Sequence, residues 1–139
     1  MDYKKYTLSE LLTKEISNQE SVEADGYICG ITTSLHLGSN VHYIATAFLE
    51  ENDIIIPFTY AARLQIILSF LQLASEHKEK VTIRGRFFYD SRTINTEDIT
   101  LLGFTIARDS QLTDDTLKKV NDYLQNKRVR NFINKDYIR

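Results

Sequence analysis

The chain predicts a mainly β domain: a closed barrel of five strands in the order β-β-β-α-β-β, with a helix added at each end. Three observations predict it. Three β-like runs, two long and one short, precede a single helical stretch of about 20 residues, and two more β-like runs follow it. The fourth run, residues 81–89, alternates without a break. Val81, Ile83, Gly85, Phe87 and Tyr89 take one face, and Thr82, Arg84, Arg86 and Phe88 take the other. The first run is interrupted by Gly26 and Gly30, as expected where the first strand of a small barrel must bend or bulge.

At 139 residues the chain is read as one domain. Residues 1–20 form a helical extension, 21–108 the barrel, and 109–139 a C-terminal helix with a basic tail. One proline and five glycines leave no room for a Pro/Gly-rich linker. The first helix starts at Thr7, which fits a capping box with Glu10, and Leu8, Leu11, Leu12 and Ile16 follow at helical spacing. The first strand covers 22–33, with Val22, Ala24, Gly26 and Ile28 alternating against Glu23, Asp25, Tyr27 and Cys29. A bulge at Gly30 would flip the facing beyond it, so the alternation stops there.

Gly38, Ser39 and Asn40 signal the first loop. A second strand is expected over 41–50, a turn at Glu51, Asn52 and Asp53, and a third strand over 54–59. Pro57 cannot donate a ladder hydrogen bond and belongs near an edge or a bulge. The helix is expected over 60–80, its broad apolar stripe formed by Ala61, Leu64, Ile67, Leu68, Leu71 and Ala74. Residues 90–98 read as a polar loop and 99–107 as the fifth strand. Leu117, Val120 and Leu124 mark a helix over 113–126. The tail mixes Lys127, Arg128, Arg130, Lys135 and Arg139 with Phe132, Ile133, Tyr137 and Ile138. It can bind nucleic acid, dock on a partner or pack as a further helix.

Composition excludes several classes. The lone Cys29 rules out an internal disulfide and points to a reducing, cytoplasmic setting. Residues 1–12 carry Lys4, Lys5 and Glu10 and do not read as a signal peptide. The apolar stretch 61–74 is too short and too interrupted to span a bilayer, so no membrane role is expected. The net charge of −2 is unevenly spread, and only residues 113–139 are net basic, so only a local patch could attract phosphate.

The glycine-broken first strand (Val22-Glu23-Ala24-Asp25-Gly26-Tyr27-Ile28-Cys29-Gly30-Ile31), the fourth strand (Val81-Thr82-Ile83-Arg84-Gly85-Arg86-Phe87) and the helix between the third and fourth strands resemble the oligonucleotide/oligosaccharide-binding (OB) superfamily. The resemblance reaches loosely to its single-strand-binding branch, the bacterial single-strand-binding proteins and replication protein A subunits. It is one of pattern and covers about residues 22–106. It implies an OB barrel whose ligand lies over strands two to four and the first and last interstrand loops. Unlike many single-strand binders, the chain has no tryptophan and is slightly acidic.

Arg84, Arg86 and Phe88 are the first site candidates, with Arg92 extending them. Alternation projects the first three outward together, two guanidinium groups for phosphates and a ring for base stacking. The plainer reading is a solvated strand face paired with Glu or Asp across the sheet. Tyr27, Tyr43 and Phe58 form a second tier from strands one to three, although strand aromatics are enriched for packing alone. His36, His42 and His77 lack metal-ligand spacing with one another or with Cys29, and no cofactor motif or catalytic constellation occurs. The expected function is therefore binding, not catalysis, with single-stranded DNA or RNA as ligand. The rival is a protein-interaction or homo-oligomeric assembly module working through the terminal helices.

Overall fold

The computed structural model describes residues 2–36, 42–108 and 113–138, with side chains except at positions 36, 42, 104 and 127–138. The expected turn at Gly38, Ser39 and Asn40 lies outside the described residues. The elements in order are β1 (Lys4–Lys5), α1 (Leu8–Thr13), β2 (Glu20–His36), β3 (His42–Glu51), β4 (Ile54–Ala62), α2 (Gln65–Glu76), β5 (Lys80–Phe88), β6 (Thr93–Leu101), β7 (Phe104–Ala107) and α3 (Asp114–Ile138).

β2 is long enough to pair twice on opposite edges. Its first half runs antiparallel to β5 and its second half antiparallel to β3. Gly30, with φ +63°, lies where the register shifts between Cys29 and Thr32. That backbone is strained for any side chain, which is why the bulge carries glycine. β3 pairs with β4, β4 runs parallel to β6 over Phe58 and Thr59, and β6 pairs with β5. The result is a closed ring of five strands in the order β2, β3, β4, β6, β5. Pro57 sits next to the start of the short β4–β6 pairing, where β4 has little ladder to lose on that side.

Side chains alternate inward around the ring. Val22, Ala24 and Ile28 meet Ala45, Ala47 and Leu49, then Ile56, Phe58 and Tyr60, in one continuous core. This corrects the start of the long helix. Residues 60–62 continue β4, with Tyr60 and Ala62 buried in step with Ile56 and Phe58, and α2 begins only at Gln65. The expected polar loop over 90–98 is also corrected. After a turn at residues 89–92 the chain re-enters the sheet as β6, with Ile94, Thr96, Ile99 and Leu101 buried. A bulge places Glu97 as an extra residue between the pairs formed by Arg84 with Asp98 and Gly85 with Thr96, breaking the period-two pattern. The expected fifth strand is in fact the end of β6 and β7, joined by a two-residue turn at Leu102 and Gly103.

The helices close the gaps. α1 opens with the expected capping box, Glu10 N–H donating to Thr7 Oγ1 at 3.1 Å and Thr7 N–H to Glu10 Oε1 at 2.9 Å. Leu8 and Leu11 are buried against the ring, whereas Leu12 points to solvent. α2 packs on β2, and α3 packs on α2, with the rings of Phe70 and Tyr123 edge to face at 5.1 Å. α3 runs to Ile138, beyond the expected end at 126. Among the described residues, no helix is long and apolar enough to cross a membrane, and no group of three or more His, Cys, Asp or Glu could hold a metal ion.

Candidate nucleic-acid interface

The outside of the ring divides into two unlike faces. The first, on β2, β5 and β6, carries Arg84, Arg86 and Phe88 outward, as the alternation of β5 requires. Its charges are cross-paired. Arg84 grips Asp98 with both arms, Nε to Oδ1 at 2.8 Å and Nη2 to Oδ2 at 3.0 Å. The Tyr3 ring lies 5.1 Å from the same guanidinium, and the Tyr3 hydroxyl donates to Glu97 at 3.0 Å. Lys5 meets Asp25 at 2.8 Å, and the Thr82 hydroxyl donates to the other Asp25 oxygen at 2.6 Å. Burial works against the Asp25 carboxylate, but these hydrogen bonds and the Lys5 charge outweigh it and hold the group below its ordinary value.

Arg86 is exposed, its Nε 4.0 Å from Glu97 Oε2. Phe88 is half-buried opposite Thr93. Arg92 does structural duty: its Nη1 donates to the carbonyls of Leu11 and Lys14, both at 2.9 Å, satisfying the C-terminal end of α1. Its guanidinium also lies 4.4 Å from the Tyr89 ring centre. The plainer reading of the Arg-x-Arg-x-Phe strand thus describes Arg84 well. Recruiting it to a phosphate would leave Asp98 without its partner.

The second face, on β2, β3 and β4, is nearly free of charge. Three rows cross it in register: Thr32, Thr46 and Thr59; Cys29, Phe48 and Pro57; Tyr27, Glu50 and Ile55. Glu50 alone among these nine carries a formal charge. Phe48 (36% exposed), Tyr27 (39%) and Ile55 (47%) are its exposed apolar groups. A Cβ placed on Gly30 would come within 3.0 Å of Phe48 Cδ2, so the bare bulge is where the Phe48 ring lies. Burial, the Glu50 charge and a hydrogen bond to Glu50 push the Cys29 thiol up, leaving it a poor nucleophile at neutral pH.

Of the second-tier candidates, only Tyr27 stands on this face. Phe58 is corrected: it is 1% exposed in the core of the ring and has no surface to offer a ligand. Tyr43 lies elsewhere. It shares the inward side of β3 with Ala45 and Ala47 and sits half-buried beside α2. Phe48 and Ile55 were not singled out from the sequence. The small inward Ala45 and Ala47 were the available signal, since they fix Thr46 and Phe48 as outward.

No known family's sequence model matches this chain, and no curated protein does. Among solved structures, the fold is similar to a chain of RecG bound to a three-way DNA junction, with a TM-score of 0.51 at 15% sequence identity. The similarity covers 88% of this chain and 17% of that one, so this chain spans a small part of that protein's length.

Proposed function

We propose that this chain is an OB-type barrel that binds nucleic acid, and that it holds a single strand across the outer face of β2, β3 and β4. The observation that carries the reading is Phe48: an exposed ring at the centre of a strand-built face that carries one formal charge, Glu50, among its nine row residues, set against the bare Gly30 bulge. Such a ring is a stacking platform that contributes about 1–3 kcal/mol per base with little regard to sequence. Two further points support it. The ring order β2, β3, β4, β6, β5, with α2 between β4 and β5, supports the OB reading. The fold is also similar to that of RecG, solved on a DNA junction. The role is one of binding, with no residue assigned to catalysis.

The test is fluorescence anisotropy of labelled single-stranded DNA and RNA oligonucleotides at low salt. Binding that weakens in Phe48→Ala is expected. No binding of either polymer by the wild-type chain overturns the reading.

One observation favours a second reading, a protein-interaction module. The cations of the β5 face are paired with acids, the chain carries net charge −2, and the β3–β4 face is apolar enough to dock on protein. The terminal helices suit that role less than their sequences suggest. Leu8, Leu11 and Leu124 are already buried within this chain, and Leu117 is half-buried. A mass above the monomer that collapses in Ile55→Asp, with no nucleic-acid affinity, would favour this reading.

A further inference from the structure

The end of β2 and the start of β3 lie beside the end of β4, Leu35 paired with Tyr43 and Tyr43 with Ala62, and their inward side faces α2 across an open groove of about 480 Å³. That volume is in the range of small-molecule sites. α2 turns Ile67, Leu68, Phe70 and Leu71 to the core, and at the rim of the groove it carries the exposed Gln65 and Gln72 and the half-buried Ser69, spaced so that all three share one side of the helix, with Thr33 and Tyr43 on the opposite wall. Leu68 and Leu73 line the gap with them, and Leu35 remains 52% exposed on its wall. Among the described residues, no lining residue carries a formal charge. By contrast, a cavity of about 460 Å³ near the C-terminal end of the same helix is lined by Glu50 and Lys78.

We infer that this gap is a ligand cleft for a neutral, flat, hydrogen-bonding ring, namely a nucleobase turned out of the strand. The inference rests on the nucleic-acid reading above and adds a second subsite to it. Three features select that chemistry. Amides and hydroxyls both donate and accept, so they can read a base edge whatever its donor pattern, and a glutamine amide can engage a base edge with two hydrogen bonds. The Tyr43 ring and the leucines offer apolar wall to a flat face. The described lining offers a phosphate no cation to pair with, which favours the backbone at the mouth.

Free nucleosides test the cleft without any need for strand binding, because they are uncharged. The experiment is a ¹H–¹⁵N NMR titration of the full chain with adenosine, guanosine, cytidine and thymidine, with ribose and inorganic phosphate as controls. At least one nucleoside is expected to shift the side-chain amides of Gln65 and Gln72, and the controls are expected to leave them unmoved. Gln72→Leu, an exposed position, should weaken that affinity roughly two- to tenfold, the worth of one hydrogen bond. Nucleosides that shift only the surroundings of Phe48, or shift nothing, overturn the cleft and leave the proposed strand binding standing. Ribose or phosphate reproducing the shifts overturns it as well. Failure of the oligonucleotide anisotropy experiment, by contrast, falls on the proposed function itself.

Discussion

At the scale of the residue, Gly85 shows how one missing side chain sets a local geometry. A Cβ there would lie 2.2 Å from the Asn95 carbonyl oxygen and 2.8 Å from Thr96 Cα, both backbone atoms beside the Glu97 bulge. Neither can move without opening the β5–β6 ladder. Gly85→Ala is therefore expected to destabilise the chain by roughly 1–3 kcal/mol or more, read as a lowered midpoint in urea unfolding. Asp25 gives a pH-dependent prediction. Its folded-state pKa is held below the ordinary 3.8, so its stabilisation is present above that value and lost as pH falls through the folded one. Tm should fall on acidification below about pH 4, and Asp25→Asn should show a shallower fall over the same window. Phe48 and Phe58 show why site residues were harder to read than strands. On β4 both alternate sets are apolar, Ile55 and Pro57 outward, Ile56 and Phe58 inward, so period two says that a strand exists without saying which way it faces.

At the scale of the element, legibility followed signal strength. α1 and the β2 bulge were readable because a capping box and a glycine are local chemical necessities, and both appear where the residues put them. The helical stripe overshoots α2 because nothing in the sequence announces its start. Leu64 stands at its N-cap and makes no side-chain capping bond, while Ala61, at helical spacing from Leu64, extends the stripe backward into what is strand. The first part of β6, residues 93–98, reads as loop because Thr93, Asn95, Glu97 and Asp98 are polar and the bulge interrupts its alternation. Arg92 joins two such elements, carrying the α1 carbonyls from the β5–β6 turn. Arg92→Ala is expected to speed amide exchange in α1 and to cost about 1–3 kcal/mol. Unchanged exchange at Leu11 and Lys14 would show that the two bonds hold nothing.

At the scale of the whole molecule, the order of strands was legible and the location of binding was not. A strand's facing, and the pairing of each arginine, depend on which other strands lie beside it in the closed ring. Arg84 reads as a phosphate contact until Asp98, fourteen residues on, is seen across the ladder. With the β5-face cations paired in this way, binding should depend on stacking more than on charge. The logarithm of affinity for a single strand should fall with the logarithm of salt concentration with a slope of magnitude below about 2, the mark of few phosphate contacts. A steeper slope would place the ligand on a cationic surface instead.

The most direct test compares two variants in one anisotropy series with a single-stranded oligonucleotide. Phe48→Ala, on the β3–β4 face, is expected to weaken binding roughly 5- to 100-fold, the loss of one stacked base. Arg86→Ala, at the exposed cation of the β5 face, is expected to leave affinity within about twofold of wild type. Binding that survives Phe48→Ala but is lost in Arg86→Ala, or no binding by the wild-type chain, would contradict the account.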